Sequence, residues 1–348
     1  MYTLISEAAK NAVPVSKAVH APKILVVGCG GAGNNSINRL HRIGIDGAQT
    51  LAINTDELHL MCIRADKKLL IGKTTTRGLG TGGDPDKGMM CAEEARDEIR
   101  RAIGRPDMTF ITVGMGGGTG TGVAPVVAEI AREHGSIVVV VATTPFKIER
   151  GRIEKAKIGI RRVKKWADCT IVLDNNRLLE IVPRLPMDEA LSVMDQLISE
   201  LIKGVTETVA IPSLINVDYA DVRAIMKDSG TATVLYGEAS EEDPAKVVMD
   251  ALKNPLMDID YTGARGALVH ITGGRGLSLS TAHEVVAGIT EQLDATANVI
   301  FGARIVPDFE GRIRVIAIMT GVHSPSLIES VREAHKMSTA EIEIVGGL

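Results

Sequence analysis

The chain predicts an α/β protein: a mostly parallel sheet covered by helices, then a long helix, then a second and smaller α/β unit. Three observations carry this. Apolar runs of strand length alternate with helical periodicity over 23–175, the rhythm of a parallel sheet. A helical stretch over 187–208 interrupts that rhythm, with Ala190, Leu191, Met194, Leu197, Ile198, Leu201 and Ile202 along one side. After Pro212 the pattern changes to four strands with two helices among them.

The first strand is KILVVG (23–28), an unbroken apolar run of buried-strand length. It breaks at GCGGAGNN and resumes as the helical NSINRLHRIG. QTLAINTD (49–56) and KKLLIG (67–72) read as the second and third strands, and 93–103 as a helix. MTFITVG (108–114) is the fourth strand. Val123, Val126, Val127, Ile130 and Ala131 then line one helix face, with Pro125 in the first turn, where a missing N–H costs nothing. SIVVVVATTP is apolar on both faces, as central parallel strands are, and TIVLDN closes the series. Beyond the long helix, TATVLYGEA, GALVHITGG, ANVIFGARIV and RIRVIAIMTGV are strands, and 244–252 and 280–293 are helices. The expected division is an arm (1–21), a first domain (22–186), a central helix (187–211), a second domain (212–323) and a tail (324–348).

Composition narrows the function. A length of 348 residues accommodates two domains. Aromatics make up only 3%, with Trp166 the single tryptophan, too few for a surface that stacks on bases. A net charge of −4 gives no electrostatic reason to expect nucleic acid. The basic cluster Arg161, Arg162, Lys164 and Lys165 reads as the solvated face of a helix. Cys29, Cys62, Cys91 and Cys169 form no C-x-x-C pair, which suits free thiols in a reducing compartment better than disulfides or zinc. The histidines form no H-x-x-x-H pair, so no metal site is expected. No apolar run is long enough to span a membrane, and the first residues lack a signal-peptide pattern, so a cytoplasmic protein is expected.

The chemistry is concentrated in glycine. GMGGGTGTG (114–122) has glycine at six of nine positions, each forfeiting about 0.5–1 kcal/mol of backbone entropy relative to alanine. It joins a buried strand to an amphipathic helix with no slack, so a flexible linker does not explain it. Gly28-Cys-Gly30-Gly-Ala-Gly33 also follows a strand and opens a helix, the setting of a dinucleotide fingerprint, with Asp56 placed as a ribose-binding acid. Tight structural turns are the plainer explanation for that loop alone. Two such junctions on neighbouring strands, however, make two anion sites facing one crevice, enough for a triphosphate, with the Thr119 and Thr121 hydroxyls as further donors. Gly72-Lys73-Thr74 is no P-loop, because Lys67 stands where that motif needs glycine.

GGAGNN, INTD, GLGTGGDP, GMGGGTGTG, TTPFKIE and NVDYADV, in this order over 23–322, resemble the tubulin-like GTPase family, in its prokaryotic cell-division branch. The N-terminal arm and the altered tail suggest an archaeal member. The resemblance implies a tubulin-like fold: a Rossmann-type parallel-sheet GTPase domain, joined by a long central helix to a smaller α/β C-terminal domain. It implies that Gly30, Gly31, Ala32, Gly33, Asn34 and Asn35, with Gly116, Gly117, Gly118, Thr119, Gly120 and Thr121, wrap the phosphates of GTP or GDP accompanied by Mg²⁺. Asn54 faces the nucleotide, Gly82 and Gly83 offer donors near the γ-phosphate, and Glu149 is the ribose acid. Arg152, with Arg150 as alternative, contacts phosphate. Asn175 and Asp195 read guanine, a carboxylate being able to accept from both N1–H and the exocyclic amine.

Three departures stand out: the segment after Pro145-Phe146 is one residue short, Leu191 replaces a base-stacking Phe, and Asp174 replaces the proline before Asn175. In LINVDYADVRAIM, Asn216, Asp218 and Asp221 surround a helix start, where an anonymous Asp-x-x-Asp is ordinarily a cap and a first-turn acid. The resemblance instead implies that this loop docks on the nucleotide of the next subunit, Asp218 and Asp221 polarising the attacking water and Asn216 positioning it. The partners implied are further copies in a head-to-tail filament and a membrane adaptor at the mid-cell division site, with neither nucleic acid nor direct membrane insertion. The alternatives are a filament protein of cell shape, a GTP-binding regulator without turnover, and an NAD(P)-dependent oxidoreductase.

Overall fold

The structure, a computed structural model, describes residues 21–211, 215, 217–253 and 261–322. The expected tail, the arm except Ala21, and Asn216 lie outside these residues.

Six parallel strands come first: β1 (Ile24–Cys29), β2 (Ala48–Asn54), β3 (Lys67–Leu70), β4 (Met108–Gly114), β5 (Ile137–Thr144) and β6 (Cys169–Asp174), in the spatial order 3-2-1-4-5-6. Helix α1 (Gly30–Ile43) joins β1 to β2, and α2 (Glu57–Cys62) precedes β3. The crossover to β4 holds α3 (Lys73–Thr76), α4 (Pro85–Glu94) and α5 (Arg96–Ile103). Helix α6 (Thr119–Glu133) joins β4 to β5, and α7 (Arg150–Lys164) joins β5 to β6.

The period-2 alternation of β1 explains the layers. Ile24 and Val26 enter one core with Ile37 and Leu40 of α1, while Leu25, Val27 and Cys29 enter another with the apolar faces of α4 to α7. Caps set several helix starts. The Asp84 carboxylate accepts from Asp86 N and Lys87 N, with Pro85 in the first position of α4. Helix α6 begins at Thr119, inside the glycine run, so Pro125 lies in its second turn rather than its first. Of the basic cluster, Arg161 and Lys165 are exposed and Arg162 pairs with Asp86 at 2.9 Å. Lys164 is not on the solvated face: the residue is half-buried and its Nζ donates to Thr231 Oγ1 at 3.0 Å.

After the short α8 (Leu178–Ile181) comes α9 (Met187–Ala210), whose 24 residues span about 36 Å. It is held from both sides. Ser36 Oγ donates to Asp195 Oδ1 and Lys203 Nζ to Ile43 O, tying it to α1. On the other side Arg314 reaches Glu200 at 2.8 Å and Arg304 pairs with Glu207. Then follow α10 (Tyr219–Met226), β7 (Gly230–Ser240), α11 (Pro244–Leu252), β8 (Gly266–Gly273), α12 (Leu279–Thr290), β9 (Asn298–Ile305) and β10 (Arg312–Thr320). Their four strands do not form a sheet of their own. Parallel pairing of Cys169, Thr170 and Ile171 with Gly230, Thr231 and Ala232 extends the first sheet into β7, then β10, β8 and β9, with β10 antiparallel to both neighbours.

Candidate nucleotide site

In an open α/β sheet, ligands settle beyond the carboxyl ends of the strands, where the strand order reverses. Here that point lies between β1 and β4, and both glycine loops leave the sheet there. A cavity of about 470 Å³ opens above them. Among the expected residues, Gly31, Ala32, Asn54, Gly82, Gly83, Gly117, Gly118, Thr119, Gly120, Glu149, Arg152 and Asn175 line it. A smaller adjoining cavity of about 90 Å³ takes in Asn35, Asp195 and Leu191 and shares Ala32 and Asn175.

Gly31 and Gly117 carry the sharpest sign of a ligand. Neither has a positive φ, and a Cβ at either would meet no protein atom within 4 Å. Neither backbone conformation nor packing asks for glycine there, so what the missing side chains keep clear is the cavity itself. The geometry suits anions: α1 and α6 both present their N-termini, with unpaired N–H groups and the positive end of the helix dipole.

Five expected residues line neither cavity. A Cβ on Gly33 would come within 2.2 Å of Thr112 O, so this glycine lets α1 lie against β4. Gly30, at φ +72°, touches the backbone of Gly120 and brings the two loops together. Gly116, at φ +97°, lies against Arg152 O. The buried Asn34 amide donates to Ile53 O at 3.1 Å. Thr121 is buried too, its hydroxyl accepting from Gly116 N at 2.9 Å, so it staples the loop instead of facing the cavity. Thr119 does line it, though its hydroxyl is engaged 2.6 Å from Thr55 Oγ1.

The smaller cavity has the polarity to read a base. Asn175 Oδ1 is buried without a hydrogen-bond partner, an acceptor left for a ligand donor. Asp195 receives a hydrogen bond from Ser36 Oγ at 2.7 Å, and burial pushes its carboxyl up to about 6 despite that bond and the nearby Arg39 guanidinium. Asp174 takes over from the customary proline by capping the turn: its Oδ1 accepts from Asn176 N and Nδ2. Leu191 lines this cavity as well, leaving an aliphatic wall where a ring is customary.

Glu149 and Arg152 form a pair at 2.5 Å, and Glu149 Oε1 also accepts from Phe146 N. Arg152 lines the cavity and Arg150 does not. Asp56, the candidate ribose acid of an NAD enzyme, caps α2 by accepting from His59 N. Two residues passed over in the sequence bear on the site. Lys155 of α7 donates from Nζ to Gly83 O at 2.6 Å, bracing the loop that carries Gly82 and Gly83. His59 lines the larger cavity. A lysine at helical spacing after Arg152 was the signal for the first; nothing in the pattern marked the second.

Asp218 and Asp221 lie far from both cavities. Tyr219, between them, donates from its hydroxyl to Asp107 O at 2.7 Å, at the amino end of β4. The glycine loop leaves from the carboxyl end of that strand, about 20 Å away at roughly 3.3 Å per residue. Both acids are exposed, and neither side chain has a hydrogen-bond partner among the described residues; Asp218 has extended N-cap backbone geometry but makes no capping bond. One copy of the chain therefore does not unite these acids with the glycine loops.

Comparison with known proteins agrees with this architecture. Residues 23–183 match the GTPase domain of the Tubulin/FtsZ family, and residues 230–323 the C-terminal domain of the FtsZ family. The chain is 55% identical over 310 residues to cell division protein FtsZ 2 of Methanocaldococcus jannaschii, covering 88% of this chain and 82% of that protein. It is 54% identical over 308 residues to FtsZ 2 of Halobacterium salinarum, covering 88% and 78%. The solved empty FtsZ dimer of M. jannaschii superposes with a TM-score of 0.84 at 45% identity, covering 92% of this chain and 91% of that one. The chain belongs to the Tubulin/FtsZ family, and its larger, glycine-lined cavity lies within that family's GTPase domain.

Proposed function

We propose that this protein is a GTP-dependent polymerising GTPase of cell division, and that subunits join head to tail so that each nucleotide is hydrolysed at a junction. The observation that carries the proposal is the placement of Asp218 and Asp221: exposed, without side-chain partners among the described residues, and at the opposite end of the sheet from the glycine loops. A second copy stacked along the strand direction brings its acids onto the first copy's nucleotide. Such a contact is heterologous and builds an open filament when its rotation does not close.

In this reading 22–186 bind the nucleotide, 187–211 form the central helix and 212–323 supply the hydrolytic loop to the next subunit. Backbone N–H groups of the loops at Gly31 and Gly117, together with Gly82 and Gly83, hold the phosphates, and Arg152 adds charge. Asn175 and Asp195 hold guanine. Asp218 and Asp221 accept from and orient the attacking water, and Asn216 is assigned to help position it. Phosphoryl transfer demands chiefly positioning and charge stabilisation, and Mg²⁺ arriving with the nucleotide neutralises charge on the phosphates. Among the described residues no helix is long and apolar enough to cross a membrane. In our reading, attachment at the mid-cell division site runs through an adaptor protein.

The test combines light scattering with GTPase assays. GTP with Mg²⁺ should raise scattering where GDP and NAD do not, and activity per molecule should climb from near zero above a threshold concentration. Asp221→Ala should bind GTP and assemble while losing about 100-fold or more in turnover. Wild-type turnover in that variant, or constant specific activity on dilution, would refute hydrolysis at a shared site.

A further inference from the structure

We infer that His59 is a positioning residue for nucleoside recognition: its imidazole fixes the Asn35 amide with the NH₂ end turned toward the ligand. The inference rests on the nucleotide reading above and names how one edge of that ligand is chosen.

The chain of reasoning starts at the backbone. Asn54 Oδ1 accepts from Thr55 N at 2.9 Å and from Asp56 N at 3.3 Å, which orients the amide so that Nδ2 faces His59 Nδ1 at 3.3 Å. An amide nitrogen only donates, so Nδ1 of the ring must accept, and the neutral imidazole then carries its proton on Nε2. That Nε2–H donates to Asn35 Oδ1 at 3.1 Å. That bond holds the Asn35 oxygen toward the ring and turns its NH₂ the other way.

The histidine is itself held in place. Its backbone N–H donates to Asp56 Oδ1 at 3.0 Å at the start of α2, and the next residue, Leu60, is buried in the core. The backbone of Thr55 and Asp56 thus dictates, through one ring, which end of a side chain on α1 faces the ligand. Asn35 shares the smaller cavity with Asp195, whose ionised carboxylate only accepts. The pair presents one fixed donor and one fixed acceptor, which matches a purine bearing N–H groups on one edge and acceptors elsewhere. Were Asn35 free to flip, it would offer an acceptor where the ligand presents one, and that hydrogen bond would be lost.

The test is equilibrium titration of the full chain with fluorescent N-methylanthraniloyl GDP. Variants are His59→Gln, His59→Asn, Asn35→Ala and the double His59→Asn/Asn35→Ala. Glutamine places an NH₂ where Nε2 stood, so His59→Gln should stay within about twofold of wild type, whereas asparagine keeps the acceptor for Asn54 but does not reach Asn35 and should bind about tenfold more weakly. Asn35→Ala should bind as weakly as His59→Asn, and the double variant no more weakly than either. A merely structural histidine predicts something else: equal losses in Gln and Asn, and losses that add in the double variant. Either of those results, or wild-type affinity in His59→Asn, overturns the inference. Absence of GDP binding in the wild-type chain overturns the nucleotide reading itself, a distinct outcome.

Discussion

Lowering the pH should weaken guanine nucleotide binding through one group, Asp195. Its carboxyl lies on α9 beside Ser36, which donates to it at 2.7 Å, and near the Arg39 guanidinium; both favour the ionised form. Burial outweighs them and pushes the pKa up to about 6. Only the ionised form accepts from both N–H groups of guanine, so the bound nucleotide and the proton compete. The ionised fraction is about 90% at pH 7 and about 10% at pH 5, so the GDP dissociation constant should rise about tenfold over that interval, or ~1.4 kcal/mol per unit once well below the pKa. Apo stability has the opposite slope. The folded pKa is raised above the ordinary value of 3.8, so this group's contribution is fully present below about 3.8 and lost as pH rises through about 6. Calorimetric titration at several pH values checks the binding slope, with Asp195→Asn as the control, because titration of the nucleotide's own phosphates is common to both proteins. An identical pH slope in Asp195→Asn, or a flat profile in the wild type, would refute the assignment.

Four further predictions concern the loops. Gly31→Ala should melt as the wild type does yet bind GDP at least about tenfold more weakly, since its methyl group enters only the ligand's space; Gly33→Ala should instead lose about 1–3 kcal/mol of stability, its methyl group meeting Thr112 O. Lys155→Met removes the brace on Gly83 O and should lower the preference for GTP over GDP in competition titrations; an unchanged ratio separates this loop from the γ-phosphate. Thr121→Val leaves Gly116 N–H buried without its acceptor and should cost about 1–3 kcal/mol in denaturant unfolding, whereas a fully stable variant would undo the staple assigned to it.

The sheet was legible because each parallel strand is a short apolar run bounded by a loop, and the two glycine loops because they begin where β1 and β4 end. The purpose of each individual glycine was not legible. Gly31 and Gly33 stand two residues apart in one motif, yet one faces the cavity and the other a carbonyl of the adjacent strand. Only three-dimensional neighbours separate them. The start of α6 was misplaced for a related reason: glycines interrupt apolar periodicity, but Thr119, Gly120, Thr121 and Gly122 are helical because tertiary packing overrides propensity. The joining of the C-terminal strands to the first sheet depends on three residue pairs at β6 and β7, and local pattern carries no signal for such a distant pairing. His59 was invisible because its role arises from hydrogen-bond direction, which spacing does not encode.

The Asp-x-x-Asp pair shows how structure changes the weight of a bland explanation. An N-terminal aspartate ordinarily stabilises its helix by accepting from a free N–H, worth about 1 kcal/mol. Asp218 has the extended backbone of such a cap, at φ −75° and ψ 144°, but its carboxylate makes no capping bond. The usual benefit is forgone while the charge stays in solvent. Residue Asp221, in the first turn, retains its favourable dipole interaction but likewise has no partner among the described residues. Helix stability therefore accounts for only part of one acid and for little of the other. What remains is two exposed acceptors beside a tyrosine anchored to the amino end of β4, about 20 Å from the glycine loops at its carboxyl end. A hinge within one chain does not close that gap, because β4 is a central, buried strand paired on both sides. Translation of a second copy along the strand axis does, and in the proposed head-to-tail filament it would make turnover depend on assembly without any moving part in the monomer.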